Sequence, residues 1–259
     1  DEDFLRDTYN FREVDLLEAP ESALREVTIG DRAAWDSLMQ DIETGDLSDP
    51  GAYAEIVSQV DIDNFIAYHI LQIYSANTDW PAHNIHLFRA RVPGGRWRWM
   101  VWDSDNGFDA EGYSQVDSDM ISHLLDYRHP ETGGRDTLLF RKLLDNPEYR
   151  LQFLSTLADL LNTKLAPAAV IDHIDALAGE IATDIEYETA RWPGYKDWSA
   201  NIQQLRDFAA GRPAYVREHT ISRLGLPGTL ELNLQPPASG KGQVAVNGMV
   251  PDTLPWQGI

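Results

Sequence analysis

The stretch Asn77-Thr-Asp-Trp-Pro-Ala-His-Asn84 separates a helical pattern from a strand pattern. Before it, apolar residues recur at steps of three and four positions from Ile62 to Tyr74, which predicts a helix packed on a core. After it, residues 85–92 and 96–102 alternate polar and apolar types on either side of a Pro-Gly-Gly turn, which predicts a β-hairpin. We therefore expect a loop held between a buried helix and a hairpin.

Acidic and amide side chains lie at both ends of this hairpin. Asp79 precedes Asn84 by five positions, and the stretch Trp102-Asp-Ser-Asp-Asn-Gly-Phe108 follows the second strand. Phosphoryl-transfer enzymes of the protein-kinase type use this order, in which one Asp takes the acceptor proton while an Asn and a second Asp hold magnesium. The spacing predicts that Asp79 is catalytic and that Asn84 and Asp103 bind the metal, which prefers oxygen ligands.

Helical patterns fill most of the remaining chain. They cover residues 33–39, with Asp31 as N-cap, 53–60, 136–163 with a break at Asn146-Pro147, 168–191, and 197–224 with an interruption at Gly211-Arg-Pro213. In the tail, residues 229–234 and 243–247 alternate like strands. The expected fold class is α+β, with one domain over residues 1–226 and a partial β segment or linker over residues 227–259.

Composition excludes several classes of function. The formal net charge is −21, from 42 acidic and 21 basic residues, which disfavours nucleic acid as a partner. With no cysteine, the chain forms neither disulfides nor thiolate zinc sites, and no apolar run is long enough to span a membrane. The four arginines of the hairpin either form the solvated face of two strands or meet phosphate; they are Arg89, Arg91, Arg96 and Arg98.

Five motifs in this chain resemble the spore coat protein H (CotH) family of bacterial kinase-like proteins. They are Val60-Asp-Ile-Asp-Asn-Phe65, Gln72-Ile-Tyr-Ser-Ala-Asn-Thr-Asp-Trp80, Asn84, Arg96-Trp-Arg-Trp99 and Trp102-Asp-Ser-Asp-Asn-Gly-Phe108. The resemblance runs from about residue 12 to residue 248 and is most specific between Asp61 and Phe108. It implies an atypical protein-kinase-like fold, mainly the helical C-terminal lobe, with the hairpin beside the active site.

The resemblance also implies an activity and its residues. Members transfer phosphate from ATP, with Mg²⁺ or Mn²⁺, to Ser or Thr of surface or coat proteins, so a protein substrate or assembly partner at the bacterial cell or spore surface is implied. Asp79 would be the catalytic Asp, Asn84 a metal ligand and Asp103 the magnesium-binding Asp. Trp102 would stack on adenine, and Asp105 would assist the metal.

One feature departs from the pattern of kinases, which place a lysine on the nucleotide phosphates from a strand before the catalytic loop. All lysines of this chain follow Asp103, and no glycine-rich loop precedes Asp79. We expect an N-terminally truncated chain that lacks most of the nucleotide-covering lobe. Otherwise Arg6, Arg12 or Arg25 replaces the lysine, or the protein is a noncatalytic scaffold of the extracellular surface or spore coat.

Three other site types are weighed against the kinase interpretation. Residues 103–109 could form a calcium loop, although the glycine falls one position early for an EF-hand and the terminal Glu is missing. His83 and His86 could bind zinc, although they lie on a loop entering a strand. Asp103 and Asp105 could act as the acid and base of a glycosidase, although carboxylates two positions apart are common on loops.

Overall fold

The computed structural model describes residues 2–19, 26–81, 83–110, 114–128, 134–193, 197–236 and 242–259. In chain order its elements are α1 (Glu2–Tyr9), β1 (Val14–Ala19), β2 (Glu26–Ile29), α2 (Ala33–Thr44), α3 (Pro50–Gln59), α4 (Ile62–Ser75), β3 (Ile85–Ala90), β4 (Arg98–Met100), α5 (Met120–Asp126), α6 (Leu138–Leu143), α7 (Pro147–Leu161), α8 (Pro167–Arg191), α9 (Trp198–Leu224), β5 (Leu232–Leu234) and β6 (Trp256–Gly258). Helices combined with antiparallel strands confirm the α+β class.

Helix α4 is the central helix of the core, as its apolar spacing predicts. The side chains of Phe65, Ile66 and Ile70 on this helix are buried. The Asp61 carboxylate accepts a hydrogen bond from the backbone N–H of Asn64 at 3.3 Å, which confirms Asp61 as the N-cap. The helix ends where Ala76 adopts a left-handed conformation with a φ of 54°. The loop that contains Asp79 therefore begins at the end of a buried helix.

A four-stranded antiparallel sheet, in the order β2-β1-β3-β4, packs beside α4. Strands β3 and β4 confirm the predicted hairpin, although β4 is shorter than the pattern indicates. Strands β1 and β2 are not predicted by the sequence. Strand β1 takes its form from its pairing with β3, in which Val14 lies opposite Ala90 and Glu18 opposite His86. Such non-local pairing leaves only a short pattern in the sequence itself.

The two faces of this sheet pack against different partners. One face places Leu17, Leu87 and Trp99 in the main core with the helices. The opposite face buries a smaller cluster that is covered by α1 and consists of Leu5, Val14, Leu16 and Phe88. Strand β4 ends at Met100, and the Val101 side chain that follows it is 46% exposed.

The hairpin arginines form ion pairs with aspartates. The fully buried Asp15 carboxylate of β1 lies 2.9 Å from Arg89 Nη2. At the start of α4, Asp61 Oδ2 lies 2.8 Å from Arg98 Nε. Of the other two arginines, Arg91 pairs with Asp15 and Asp31, and Arg96 pairs with Asp61. The Asp15 pairs therefore join β1 and β3 within the sheet, and the Asp61 pairs join the hairpin to the start of α4.

The helices after the site follow the prediction, except that α5 is not predicted and that one predicted break is absent. Asn146 caps α7 by accepting from the backbone N–H groups of Glu148 at 2.9 Å and Tyr149 at 3.1 Å, which confirms the break between α6 and α7. The predicted interruption at Gly211-Arg-Pro213 is wrong, because α9 continues through Pro213. None of the helices in the described ranges is long and apolar enough to cross a membrane.

The tail forms a small antiparallel pair of β5 and β6, in which Asn233 lies opposite Gln257. The predicted strand over residues 243–247 is wrong, since the structure has only an isolated bridge between Val246 and Met249 there. Strand β5 instead pairs with β6. The tail contacts the end of α7, where the Ile259 backbone N–H donates to Asn162 Oδ1 at 3.1 Å.

Candidate active site

The loop after α4 is anchored by two buried amides. The side chains of Gln72 and Asn77 are 1% and 0% exposed. Asn77 Nδ2 donates to Gln72 Oε1 at 3.0 Å, and Asn77 Oδ1 accepts from the backbone N–H of Asp79 at 3.3 Å. The predicted catalytic Asp is therefore attached, through its backbone, to the last turn of a buried helix.

Asn84 connects Asp79 to Asp103, the other two residues on which the kinase-like prediction depends. Its Nδ2 donates to Asp79 Oδ2 at 2.8 Å and lies 3.5 Å from the backbone carbonyl of Asp103. Asn84 adopts a φ of 58° and Asp103 a φ of 47°, so both occupy the left-handed region, in which Asn and Asp are tolerated better than most residues. Asp79, Asn84 and Asp103 thus meet at one place, as their order in the chain suggests.

The acidic loop after β4 is attached to the same helix end. The backbone N–H of Phe108 donates to the carbonyl of Ser75 at 2.7 Å. A Cβ atom on Gly107 would lie 3.0 Å from that carbonyl oxygen, which explains why a glycine fits here. The Phe108 ring packs on Tyr74 and Phe208. Both site loops therefore share the C-terminal turn of α4 as their support.

The carboxylates of the site repel one another. The pKa of Asp103 is raised above its ordinary value, mainly by the negative charge of Asp105, with smaller contributions from partial desolvation, a hydrogen bond with Asp105 and the charge of Asp79. Asp103 and Asp105 offer two exposed carboxylates beside the Asn84 amide, and such oxygen-bearing side chains suit a hard divalent cation. The residues present therefore fit Mg²⁺ or Mn²⁺.

No three Asp, Glu or His side chains in the described ranges are grouped as a complete metal site. A cation at Asp103 and Asp105 would take further ligands from Asn84, from phosphate oxygens and from water, as magnesium commonly does in nucleotide enzymes.

A cavity of about 1010 Å³ opens beside Asn84 and Asp103. Its described lining comes from α1, the sheet and the segment after β4: Phe4, Tyr9, Glu18, Thr28, Asn84, His86, Trp99, Met100, Val101, Trp102 and Asp103. The volume is at the upper end of the range for small-molecule sites. Asp79 does not line this cavity but contacts Asn84, which does. A pocket lined by aromatic side chains and carboxylates therefore lies next to the predicted metal ligands.

Trp102 and His86 form an aromatic pair on the wall of this cavity. Their ring centroids are 4.8 Å apart at an interplanar angle of 26°, and Trp102 is 55% exposed. His86 Nδ1 lies 3.4 Å from Glu18 Oε1. Burial lowers the pKa of His86, while the Glu18 carboxylate acts in the opposite direction. The exposed Trp102 ring is placed where an aromatic base could stack, and its support by His86 is not predicted by the sequence.

The described lining of the cavity includes neither lysine nor arginine. Lys142 donates to the carbonyl of Gly45 at 2.9 Å and does not line the cavity. Among the arginines considered as substitutes for a phosphate-binding lysine, Arg6 pairs with Asp3 at 3.1 Å, and Arg25 lies outside the described residues. A phosphate-binding cation is therefore not part of the described cavity wall.

In this α+β chain a loop Asp, an Asn and a second Asp meet beside a large cavity, in the chain order that kinase-like proteins use. Comparison with family models agrees, since the model described as CotH kinase protein matches residues 7–216. The chain therefore belongs to the CotH kinase family. The match includes every predicted site residue and ends before β5 and β6. No curated protein matches the chain.

Proposed function

We propose that this protein transfers a phosphoryl group from ATP to a Ser or Thr hydroxyl of a surface or coat protein. The observation that carries the proposal is the position of Asn84, which donates one hydrogen bond to the Asp79 carboxylate and lies beside the Asp103 backbone at the edge of the cavity. Phosphoryl transfer depends on such positioning and on charge neutralisation more than on covalent chemistry. The fold that carries it is, in this proposal, an atypical kinase fold.

Asp79 is the residue that receives the proton of the acceptor hydroxyl. Its Oδ2 accepts from Asn84, which leaves Oδ1 for the hydroxyl. Asn84 uses its Nδ2 for this contact, so its Oδ1 is the atom that remains for a metal. The same amide thus orients the base and serves the metal site.

Asp103 and Asp105 are the carboxylates that hold the metal. Bound Mg²⁺ or Mn²⁺ would neutralise the nucleotide phosphates and the developing charge of the transferred group. A nearby divalent cation would also relieve the repulsion that raises the pKa of Asp103. Trp102 offers its exposed ring to the adenine base.

Labelled ATP tests the proposal with purified protein, Mg²⁺ or Mn²⁺ and Ser- or Thr-containing acceptors, including the protein itself. We expect Asp79→Asn and Asp103→Asn each to lower the transfer rate by at least about 100-fold, the range over which a positioned base or metal ligand acts. Asp31→Asn, an exposed aspartate outside the cavity, is the matched control and should retain the wild-type rate. Full activity in the Asp79 variant would refute the assigned mechanism.

A second candidate is a noncatalytic assembly protein of the bacterial surface or spore coat. The absence of Lys and Arg from the described cavity lining favours it, because nucleotide phosphates in kinases are held by a cation. Calorimetry of Mg²⁺-dependent ATP binding separates the two candidates. Binding that is lost in Asp103→Ala supports the kinase, whereas no binding with or without Mg²⁺ supports the scaffold.

A further inference from the structure

Behind the site, the amides of Gln72 and Asn77 form a buried pair that the assigned roles do not use. Gln72 lies in the last turns of α4, and Asn77 is the second residue after the helix ends. Neither side chain contacts the cavity. Asn77 uses both of its polar atoms, Nδ2 toward Gln72 Oε1 and Oδ1 toward the backbone N–H of Asp79.

This pair is a poor arrangement for stability alone. Burial of an amide is unfavourable unless its polar atoms are hydrogen-bonded. Gln72 Nε2 is buried and has no partner among the described residues. An apolar side chain of similar length at this position would leave no such buried donor. The pair therefore needs a reason other than packing.

The pair lies at one end of a continuous chain of hydrogen bonds. From α4 it runs through Asn77 to the backbone of Asp79, then from the Asp79 carboxylate to Asn84 and on toward the Asp103 carbonyl. Asp79 is held on two sides, at its N–H by Asn77 and at Oδ2 by Asn84. Because a displacement of about 1 Å at a reacting group can reduce a rate by about 100-fold, both attachments matter.

We propose that Gln72 and Asn77 are positioning residues that fix the Asp79 loop against the end of α4. Gln72 orients the Asn77 amide, and Asn77 fixes the backbone at Asp79. The catalytic meaning of this arrangement rests on the function proposed above, whereas the restraint on the loop does not.

Gln72→Met tests the first step, because methionine has a similar length and no polar atom that can replace Oε1. We expect kcat to fall by about 10-fold to 100-fold, with the KM for ATP changed by less than about threefold. The substitution removes the unpartnered donor Gln72 Nε2 but leaves Asn77 Nδ2 without its acceptor. These two effects oppose each other, so the thermal midpoint of unfolding should change little. A KM increase with an unchanged kcat would contradict a positioning role.

Asn77 tests the second step through two variants. Asn77→Asp keeps an oxygen for the N–H of Asp79, whereas Asn77→Ala removes it, so kcat should be higher in the Asp variant than in the Ala variant. Asn64→Leu is the matched control, since Asn64 is also on α4 but bonds the backbone of Trp99 at 2.7 Å and 3.1 Å. This control should lose stability and keep kcat.

Hydrogen exchange provides a readout that needs no enzyme activity. The amide of Asp79 should exchange at least about 10-fold faster in Asn77→Ala and Gln72→Met than in wild type, while the amides of α4 keep their protection. If wild type proves inactive, the proposed function fails, and exchange alone still decides whether the pair restrains the loop. Unchanged exchange at residues 77–80 in both variants would overturn the inference, whatever the activity of wild type.

Discussion

His69 is a buried histidine on α4 that is surrounded by aromatic rings. Its ring centroid lies 4.1 Å from that of Phe65 and 4.9 Å from that of Phe140. Burial lowers the pKa of His69 to about 3, although its Nδ1 hydrogen bond to the carbonyl of Phe65 at 2.8 Å acts in the opposite direction. The histidine is therefore neutral in the folded protein at physiological pH.

This environment makes stability depend on pH. The unfolded chain binds a proton at His69 as pH falls below about 6.5, whereas the folded chain does so only near pH 3. The free energy of unfolding should therefore decrease through this window, by up to about 1.4 kcal/mol per pH unit from this residue. Urea unfolding of wild type and His69→Leu at pH 7.5 and pH 5 measures the difference.

The variant should lose less stability than wild type between these two pH values. His173→Leu on the exposed surface of α8 serves as the control and should follow wild type. Comparison of pH differences removes the packing change that His69→Leu introduces, because that change is present at both pH values. An equal loss in His69→Leu and wild type would show that His69 does not resist protonation in the fold.

Some site residues could be predicted from the sequence, and others could not. Asp79, Asn84 and Asp103 are predictable because their order and spacing relate to a known chemistry, and the structure brings them together. Gln72 could not be assigned, since it is a polar residue outside the apolar pattern of α4 and nothing local indicates that it is buried. Its role depends on a contact with Asn77 that no spacing rule supplies.

At the scale of elements, α9 supports both site loops through one side chain. The Arg212 side chain is fully buried and donates to the carbonyls of Ile73 and Tyr74 at the end of α4, at 2.6 Å and 2.9 Å. It also donates to the carbonyls of Val116 and Ser118 before α5. Burial lowers the pKa of Arg212 to about 10, so the guanidinium stays charged at neutral pH.

Arg212→Met should therefore destabilise the fold strongly. The variant removes the donor to four carbonyls, two in buried and two in partly buried hydrogen bonds, and we expect a loss of about 3 kcal/mol or more in the free energy of unfolding. Arg206→Met on the same helix removes a partly exposed ion pair with Asp175 and should cost less than about 1 kcal/mol. Chemical denaturation measures both variants. Equal losses in the free energy of unfolding would show that the Arg212 contacts stabilise the fold no more than a surface ion pair does.

This arginine also explains a failed prediction. Gly211 and Pro213 suggest a helix break, because an interior proline loses a backbone hydrogen bond and its ring crowds the preceding turn, at about 3 kcal/mol. The four hydrogen bonds of Arg212 offset that penalty and hold this turn of α9 against α4. Local propensity correctly indicates that this turn is a poor helix former. The tertiary contacts of Arg212, which keep the turn helical, cannot be read from local propensity.

For the whole molecule, the elements that the sequence predicts are those with long periodic patterns. Helix α4, the hairpin and the α7 start follow from periodicity and caps. Strands β1 and β2 depend on pairing with β3, and the pairing of β5 with β6 joins segments that are distant in sequence. Those long-range pairings decide the position of the cavity, because the sheet and α1 supply much of its described lining.

The tail after Leu226 should be dispensable for this arrangement. The family match ends at residue 216, and none of the described cavity-lining residues lies in the tail. The tail meets the helices mainly through hydrogen bonds at Asn162 and Asp159, and through a groove of about 250 Å³ beside Leu157 and Ile221. Exposed hydrogen bonds of this kind contribute about 1 kcal/mol each or less.

A chain that ends at Leu226 should therefore unfold cooperatively, with a midpoint within about 5 °C of the full chain, given shifts of about 2–4 °C per kcal/mol at this size. Calorimetry measures the midpoint, and Mg²⁺-dependent ATP binding should stay within about twofold. Asn162→Ala in the full chain removes two hydrogen bonds to the tail. It should lower the unfolding midpoint by less than the truncation does. A broad or absent transition would instead mean that β5 and β6 belong to the folding unit, because their pairing would then be needed to complete the core around α7 and α9.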